Sequence, residues 1–561
     1  MKKLFLILLV FCLLLSGCAG KQQPVDDGQK LPVDEAARAR IRWAVSMLID
    51  RNYIADSIGQ AGQLPADGFV PMGMTGYYKG GYLDVSEQAY EENYAKAIEV
   101  LRQYYRYDEK TGKFLDFPAM TYLYNTAESH KAVGEYLQAV LAGVGITLRL
   151  ENQEWNTFLS TRAAGDYDIA RNGWVADYTD PSCFLELFTS KAGNNDIGFG
   201  TGNHAVASIY SIDLTDLGYD IQVENGTWAQ TYDLIMDLAQ TQSDPAIRYE
   251  LMHRAEELLM ETGAVCPIYF DTDVYMLSDR VQGFYANPMG NKFFARTTLT
   301  GGGDISVCLA SEPESLDPGL CSTVDGTTVL SHLFAGLAKW EADGTVSADC
   351  AEALTQPISN SDGTVSYTYT LKPGLSWSDG SALTASDFVY AWHRAADPAL
   401  GSDYAYLMDI VQQVQAPDER TLQVTLKGPV PYWNELLAFP TFFPVKQGLP
   451  ENWAANAGTF VSNGAYTMQV WRHDSLITLA KRQGYHDGEN VTMDQIHFYL
   501  SDDANNMLTN YKNGTWQLID TLPTNEIATL KSRYPGAFKT APRLSTYYIC
   551  WNINEKLEPV K

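Results

Sequence analysis

Cysteine is scarce in this chain: there are eight in 561 residues, and none stands in a C-x-x-C pair. Cys12 and Cys18 fall within the first twenty residues, and the other six, Cys183, Cys266, Cys308, Cys321, Cys350 and Cys550, are scattered. Such spacing indicates neither a zinc site nor a disulfide framework, while an isolated disulfide stays open outside the cytoplasm. Basic residues are few, 40 Lys and Arg against 68 Asp and Glu, a formal charge of −28 that becomes −30 once Lys2 and Lys3 leave with the leader. That balance favours solubility and argues against nucleic acid. The eight histidines are dispersed. No H-E-x-x-H, G-x-S-x-G or phosphate-loop pattern occurs, so neither a metal nor a cofactor is expected.

Long apolar runs are also lacking, with one exception. Residues 1–20, MKKLFLILLVFCLLLSGCAG, have a basic start, an apolar run and Leu15-Ser16-Gly17-Cys18, which resembles the bacterial lipoprotein cleavage box. The run is about a dozen residues, and a membrane span needs roughly 20. It therefore reads as targeting sequence: residues 1–17 a signal peptide, Cys18 the lipidated N-terminus, 18–32 a tether. The expected location is the extracytoplasmic face of a bacterial cell membrane, held by that lipid.

The length suits more than one domain, and the patterning is α/β throughout. Ser366 to Leu371, Thr421 to Leu426 and Ile496 to Leu500 read as strands. Ser86 to Tyr104, Ser129 to Ala142 and Ile247 to Glu261 have helical periodicity. His253 falls on the last of these as a surface residue. Asn225-Gly226 and Asp362-Gly363 mark turns. Gly301 to Gly303 lack the strand, spacing and lysine of a nucleotide loop and read as a linker. Aromatic residues make up 12% of the chain, with 34 Tyr. Sugar-stacking platforms are one use for them, but in a chain of this size most rings are core.

The richest stretch is Asn152 to Phe188, NQEWNTFLSTRAAGDYDIARNGWVADYTDPSCFLELF. Asp177 stands among aromatics in Gly173-Trp174-Val175-Ala176-Asp177-Tyr178, with Arg162 and Arg171 upstream, and the whole reads as a site for a zwitterion. Neighbouring rings that exclude water make an ion pair with a ligand ammonium count for more than at a surface. The alternative for Asp177 is a structural cap or a partner for Arg171. Asp180-Pro181 is an ordinary turn signal.

This segment resembles the ligand-binding region of the oligopeptide-binding proteins of ABC importers, in extracellular solute-binding family 5. The marks are NQEW from Asn152 to Trp155, Arg162, Arg171 nine residues later, and GWxADYxxP from Gly173 to Pro181. Tyr124-Asn125-Thr126 with His130 repeats the family's YNT…H pattern, with Asn125 or Thr126 as the expected helix cap. In the second half, Ser311-Glu312-Pro313 with Leu316-Asp317-Pro318, then HLFAGL from His332, resemble the family's mature N-terminus. WSDGSALTASDFVYAWHRAADP from Trp377 to Pro398 and Val461 to Tyr466 fit as well.

The order differs from the family's. There the segment beginning at Gly303 comes first, and a strand like STYYICWNIN, Ser545 to Asn554, runs on into a helix like Ala36 to Arg51. Here that junction is cut, and the family's two ends meet through Thr300-Gly301-Gly302-Gly303. Lys30-Leu31-Pro32-Val33 and Lys556-Leu557-Glu558-Pro559-Val560 are near copies, as a trimmed tandem duplication leaves behind. The chain reads as a circular permutant. The alternative is a fragment made of the tail of one binding protein and the head of the next. The resemblance implies a two-lobed periplasmic-binding-protein-like fold of the three-domain oligopeptide-binder type, circularly permuted. Its ligand-binding lobe, the family's third domain, is expected at 33–272, and 273–300 forms a crossover and first-domain segment. After the 301–303 linker come 304–345 in the first domain, 346–445 as the second, and 446–556 back in the first, ending at a cut hinge strand. The cut is expected to leave a single covalent crossing near Asp271 to Tyr275 and looser lobes.

The resemblance further implies a monomeric, non-catalytic protein that closes on an oligopeptide and hands it to permease subunits in the membrane. It assigns the peptide amine to Asp177 and the carboxylate to Arg162, Arg171 and His130. Backbone groups of Gly173 and Val175, and of Ser322, Thr323 and Val324 opposite, pair with the peptide main chain. Asn125, Trp155, Trp174 and Tyr404 line the pocket. Gly59 aligns where enteric-type relatives carry a lysine for a longer peptide's carboxylate. Two alternatives stand: the same fold with dipeptide, murein-peptide, nickel-complex or oligosaccharide cargo, and a secreted hydrolase using Asp177 and Asp180.

Overall fold

The computed structural model describes residues 30–78, 81–195, 197–198 and 210–560. Cys18 and the leader lie outside the described residues, and no helix within them is long and apolar enough to cross a membrane. Helix α1 (Glu35–Met47) begins where Asp34 accepts the Ala37 N–H at 2.8 Å. It is followed by α2 (Glu87–Arg102), β1 (Met120–Asn125), α3 (Glu128–Gly143), β2 (Leu148–Gln153), α4 (Trp155–Ala163) and β3 (Ile169–Val175). Strand β1 pairs in parallel with both β2 and β3, which requires the crossover helices between them. Neither Asn125 nor Thr126 caps α3. The cap position is Ala127, because the Thr126 N–H extends the sheet to Gln153 O at 2.9 Å and its hydroxyl bonds Asn152 Oδ1 at 3.0 Å.

Helices α5 (Trp228–Thr241) and α6 (Pro245–Glu261) pack as a pair, the first opened by a capping box of Thr227 and Gln230. His253 on α6 is half-buried, not a free surface residue: its Nε2 lies 2.7 Å from Gly76 O. Asn225-Gly226 closes no turn here, since strand Gln222–Gly226 carries the ladder through it.

Next come β4 (Val265–Leu277), β5 (Ile305–Leu309) and α7 (Val324–Leu333). A separate antiparallel sheet is built from β6 (Ile358–Ser359), β7 (Val365–Thr370), β8 (Val411–Gln415) and β9 (Thr421–Leu426), in the order β6-β7-β9-β8. The expected turn at Asp362-Gly363 joins β6 to β7. Helix α8 (Ala385–Ala396) lies beside this sheet with Trp392 fully buried, its Nε1 donating to Phe442 O at 2.9 Å. The chain closes with β10 (Tyr466–Arg472), β11 (Leu476–Lys481), β12 (Gln495–Leu500), β13 (Leu518–Ile519) and β14 (Phe538–Trp551). The main sheet runs β10-β11-β12-β5-β13-β4-β14-β3-β1-β2, with Leu64–Pro65 added on β4.

Strands β4 and β14 hold the two lobes together. The first part of β14, Phe538 to Pro542, faces Met276 to Thr272 of β4, beside β13 in one lobe. The rest, from Ser545 to Trp551, lies between β4 and β3 in the other lobe. The ladder slips register between Pro542 and Thr546. Both strands therefore cross between lobes intact, and the expectation of a single covalent crossing is not met. The chain has already crossed when it ends: Asn552 Nδ2 donates to Tyr167 O at 2.8 Å, the Tyr105 hydroxyl to Leu557 O, and the Val560 N–H to Asp116 O at 2.8 Å. The start of the described residues is beside it, with the Leu31 N–H donating to Gln103 O at 2.8 Å. Leu31 and Leu557 are thus anchored on Gln103 and Tyr105, whose Cα atoms are at most about 7 Å apart.

Candidate ligand-binding cleft

Between the lobes is a cavity of about 1400 Å³, and all thirteen cleft residues singled out in the sequence line it. Asn125 ends β1, His130 sits in the first turn of α3, Trp155 and Arg162 belong to α4, and Arg171, Gly173, Trp174 and Val175 to β3. Asp177 follows β3. Ser322, Thr323 and Val324 enter α7, where the Thr323 hydroxyl caps the helix by accepting the Gly326 N–H at 3.2 Å. Tyr404 comes from the segment between α8 and β8. Gly59 also lines the cavity, where a Cβ would meet Gln63 Oε1 at 2.6 Å.

Asp177 does not pair with Arg171 in this arrangement. Its Oδ1 accepts from the Tyr404 hydroxyl at 3.1 Å and its Oδ2 from the Cys183 thiol at 3.6 Å, while its N–H donates to Cys183 Sγ at 2.9 Å. Burial pushes the carboxyl up to about 7, and the two donors only partly offset that. No cation among its partners balances the charge, so a ligand ammonium placed there would lower the group again.

At the other end, Arg171 lies over the rings of Trp155 and Tyr547, at 6.0 and 5.5 Å, and Arg162 over Phe158 at 5.0 Å. His130 is held neutral by burial and then by Arg171, and its Nδ1 has no partner among the described residues. Asn125 Oδ1 and Trp155 Nε1 are likewise buried without one, and such groups cost stability unless a ligand or water satisfies them. Strand β3 pairs with β1 only at Ile169 and Ala170. The Ala176 N–H points the other way, to Leu544 O at 2.7 Å. Alternation along the strand then turns the backbone groups of Gly173 and Val175 to the open edge, where the Gly173 N–H donates to Asn172 Oδ1 at 2.8 Å.

Asp180 is more than a turn residue. Its side chain accepts the Ser182 N–H at 3.0 Å and also forms a buried two-pronged pair with Arg248, at 2.6 and 2.8 Å. Beside it the lobes touch: Tyr178 stacks on Tyr432 at 4.1 Å, and Glu435 accepts the Thr179 N–H and hydroxyl at 2.6 and 2.7 Å. Sequence reasoning also missed a group of acids on the facing wall, Asp271, Asp273, Asp325 and Asp520, with Lys292 and Arg543 among them. One signal was there to read: Phe270-Asp271-Thr272-Asp273-Val274 puts two carboxylates on one face of an otherwise apolar strand.

A family model described as bacterial extracellular solute-binding proteins, family 5 Middle, matches residues 22–196 and 346–560. The chain belongs to that family. Among curated members it is 32% identical over 275 residues to the oligopeptide-binding protein OppA of Bacillus subtilis, covering 45% of this chain and 49% of that one. It is equally 32% identical over 272 residues to the probable deoxycholate-binding periplasmic protein YgiS of Escherichia coli, covering 44% and 49%. The chain thus spans about half the length of the curated family 5 relatives it matches. Among solved structures, OppA of Burkholderia pseudomallei aligns at 29% identity and TM-score 0.39, over 42% of this chain and 49% of that one. OppA of Listeria monocytogenes bound to peptide aligns at 28% and 0.36, over 38% and 45%.

Proposed function

We propose that this family 5 member is an extracytoplasmic lipoprotein that binds oligopeptides between its lobes and delivers them to an ABC-type permease, without catalysis. The observation that carries the reading is the layout of the cleft. A half-buried carboxylate with no cation among its partners, Asp177, stands beyond one end of an open strand edge, and Arg171 and Arg162 stand toward the other. An extended peptide fits that order, with its amine at Asp177, its main chain along Gly173 and Val175 and against Ser322 to Val324, and its carboxylate at the arginines. His130, as a neutral imidazole, supplies one further hydrogen bond. Equal identity to relatives named for oligopeptides and for deoxycholate leaves cargo to be argued from the site, and a zwitterion site favours peptide. Titrating the purified protein with peptides of increasing length and with their N-acetylated forms tests this. Free-amine peptides should bind and acetylated ones should lose most affinity; equal affinity for both would remove Asp177 from the role.

We also infer that the chain is a circular permutant with the domain limits given above, anchored through Cys18. Supporting this are the neighbouring anchor points of Leu31 and of Leu557 to Val560 on the Gln103 to Asp116 segment, the exposed Gly301 to Gly303 connector, and a single family model matched in two separate segments.

A further inference from the structure

The cleft lining is strongly negative. Eleven carboxylates line the cavity against three guanidiniums, so the site as a whole favours cargo that brings positive charge beyond one terminal amine. The excess is concentrated. Asp271 and Asp273, two residues apart on β4, share a face; Asp325 lies in the first turn of α7 and Asp520 follows β13. Their counterions are Lys292, whose Nζ is 3.4 Å from Asp273 Oδ1 and 3.2 Å from Gly290 O, and Arg543, 4.0 Å from Asp271. Asp325 Oδ2 also accepts from Ser311 N–H and Oγ, at 3.3 and 3.2 Å. The four carboxylates therefore outnumber the cations paired with them.

A second observation is independent of that count. Asp273 is 5% exposed, yet its Oδ2 has no hydrogen-bond partner among the described residues, and Asp520 Oδ1 has none either. A buried carboxylate oxygen without a donor is costly, and both side chains line the cleft. Burial pushes Asp520 up to about 7, and the neighbouring carboxylate of Asp325 pushes the same way.

We propose that the wall formed by Asp273, Asp325 and Asp520 is a subsite for a cationic side chain, lysine or arginine, of the bound peptide. This rests on the peptide reading above. An ammonium or guanidinium there would supply the missing donors and neutralise part of the excess charge, while the zwitterion contacts at Asp177 and the arginines remain independent of it.

The test is calorimetric titration with alanine peptides in which one position at a time carries lysine or norleucine, two side chains of similar length that differ in charge. At one position lysine should bind about tenfold more tightly than norleucine. Asp520→Asn and Asp273→Asn should each erase most of that gain and leave norleucine-peptide affinity in place, which also shows that the variants fold. Equal lysine and norleucine affinities at every position would overturn the proposal and mean that the acids share protons among themselves, as would a gain that survives both variants, which would place the cationic side chain elsewhere in the cleft. Failure of every peptide to bind would defeat the peptide reading and this inference with it.

Discussion

Replacing Asp177 with asparagine should stabilise the ligand-free protein and cripple binding at once. The carboxyl rises from an ordinary 3.8 to about 7 in the fold, chiefly through burial. Its folded value lies above its unfolded one, so the folded state holds the proton more tightly. The resulting penalty is absent below about pH 4, grows as pH rises to about 7, and is constant above that. For a dry site the shift would correspond to about 4 kcal/mol. The side chain opens onto the cleft, where water screens it, so about half of that is expected. Asparagine keeps an oxygen for the Tyr404 hydroxyl and carries no charge. At about pH 8 Asp177→Asn should therefore raise the melting temperature by several degrees, an advantage that fades toward pH 4. The same substitution should weaken a free-amine peptide by roughly 2–5 kcal/mol, since it leaves the ammonium unpaired in the closed cleft. Scanning calorimetry across pH and isothermal titration of one tripeptide read both effects. A lowered melting temperature at high pH, or unaltered affinity, would refute the reasoning.

Peptide affinity in the wild type should rise with pH up to about 7, where Asp177 ionises in the free cleft, and fall again above about 8 as the peptide amine loses its proton; a flat profile between pH 5 and 8 in titration calorimetry would count against an ammonium at this site. Arg248→Ala strands a buried Asp180 and should cost about 3–5 kcal/mol of stability, measured by denaturant unfolding, whereas loss of under about 1 kcal/mol would mean that water reaches the pair. Joining Lys556 to Leu31 and opening the chain at Gly302 should give a protein of the same fold whose peptide affinity is unchanged within about tenfold, because both hinge strands are already continuous; failure to fold would point to a head-to-tail fragment instead.

Much of the cleft was legible because it is built from contiguous motifs. Residues 152–188 hold one wall from Trp155 to Asp177, and local order fixes their succession along α4 and β3. Helices and strands with clean periodicity were also readable to within about two residues, as at Glu87–Arg102 and Thr421–Leu426. What sequence hid was contact between distant segments. Asp180 meets Arg248 across 68 positions and Tyr404 meets Asp177 across 227. The acid wall gathers β4, α7 and the end of β13, and no local pattern announces that meeting. The Thr126 cap failed for a related reason, since a tertiary sheet bond outcompeted a local one. The course of the hinge was misjudged because a cut after Asn554 looks like a cut at the joint until the strand is seen to finish its crossing first.

The slip in the ladder between Pro542 and Thr546 gives that two-stranded ribbon a preferred bending point. Pro542 offers no N–H, and Arg543 to Ser545 sit where pairing with β4 is interrupted, opposite the Phe270 to Thr272 stretch. A second, shorter slip falls between Tyr547 and Tyr548, and the regular stretches resist flexing because each step would strain a rung. Arg543 and Asp271, 4.0 Å apart, flank this weak place, so the angle between the lobes and the spacing of these charges are set by the same few backbone torsions. Opening the jaws would work like turning a dial on the electrostatic field felt by whatever lies between them.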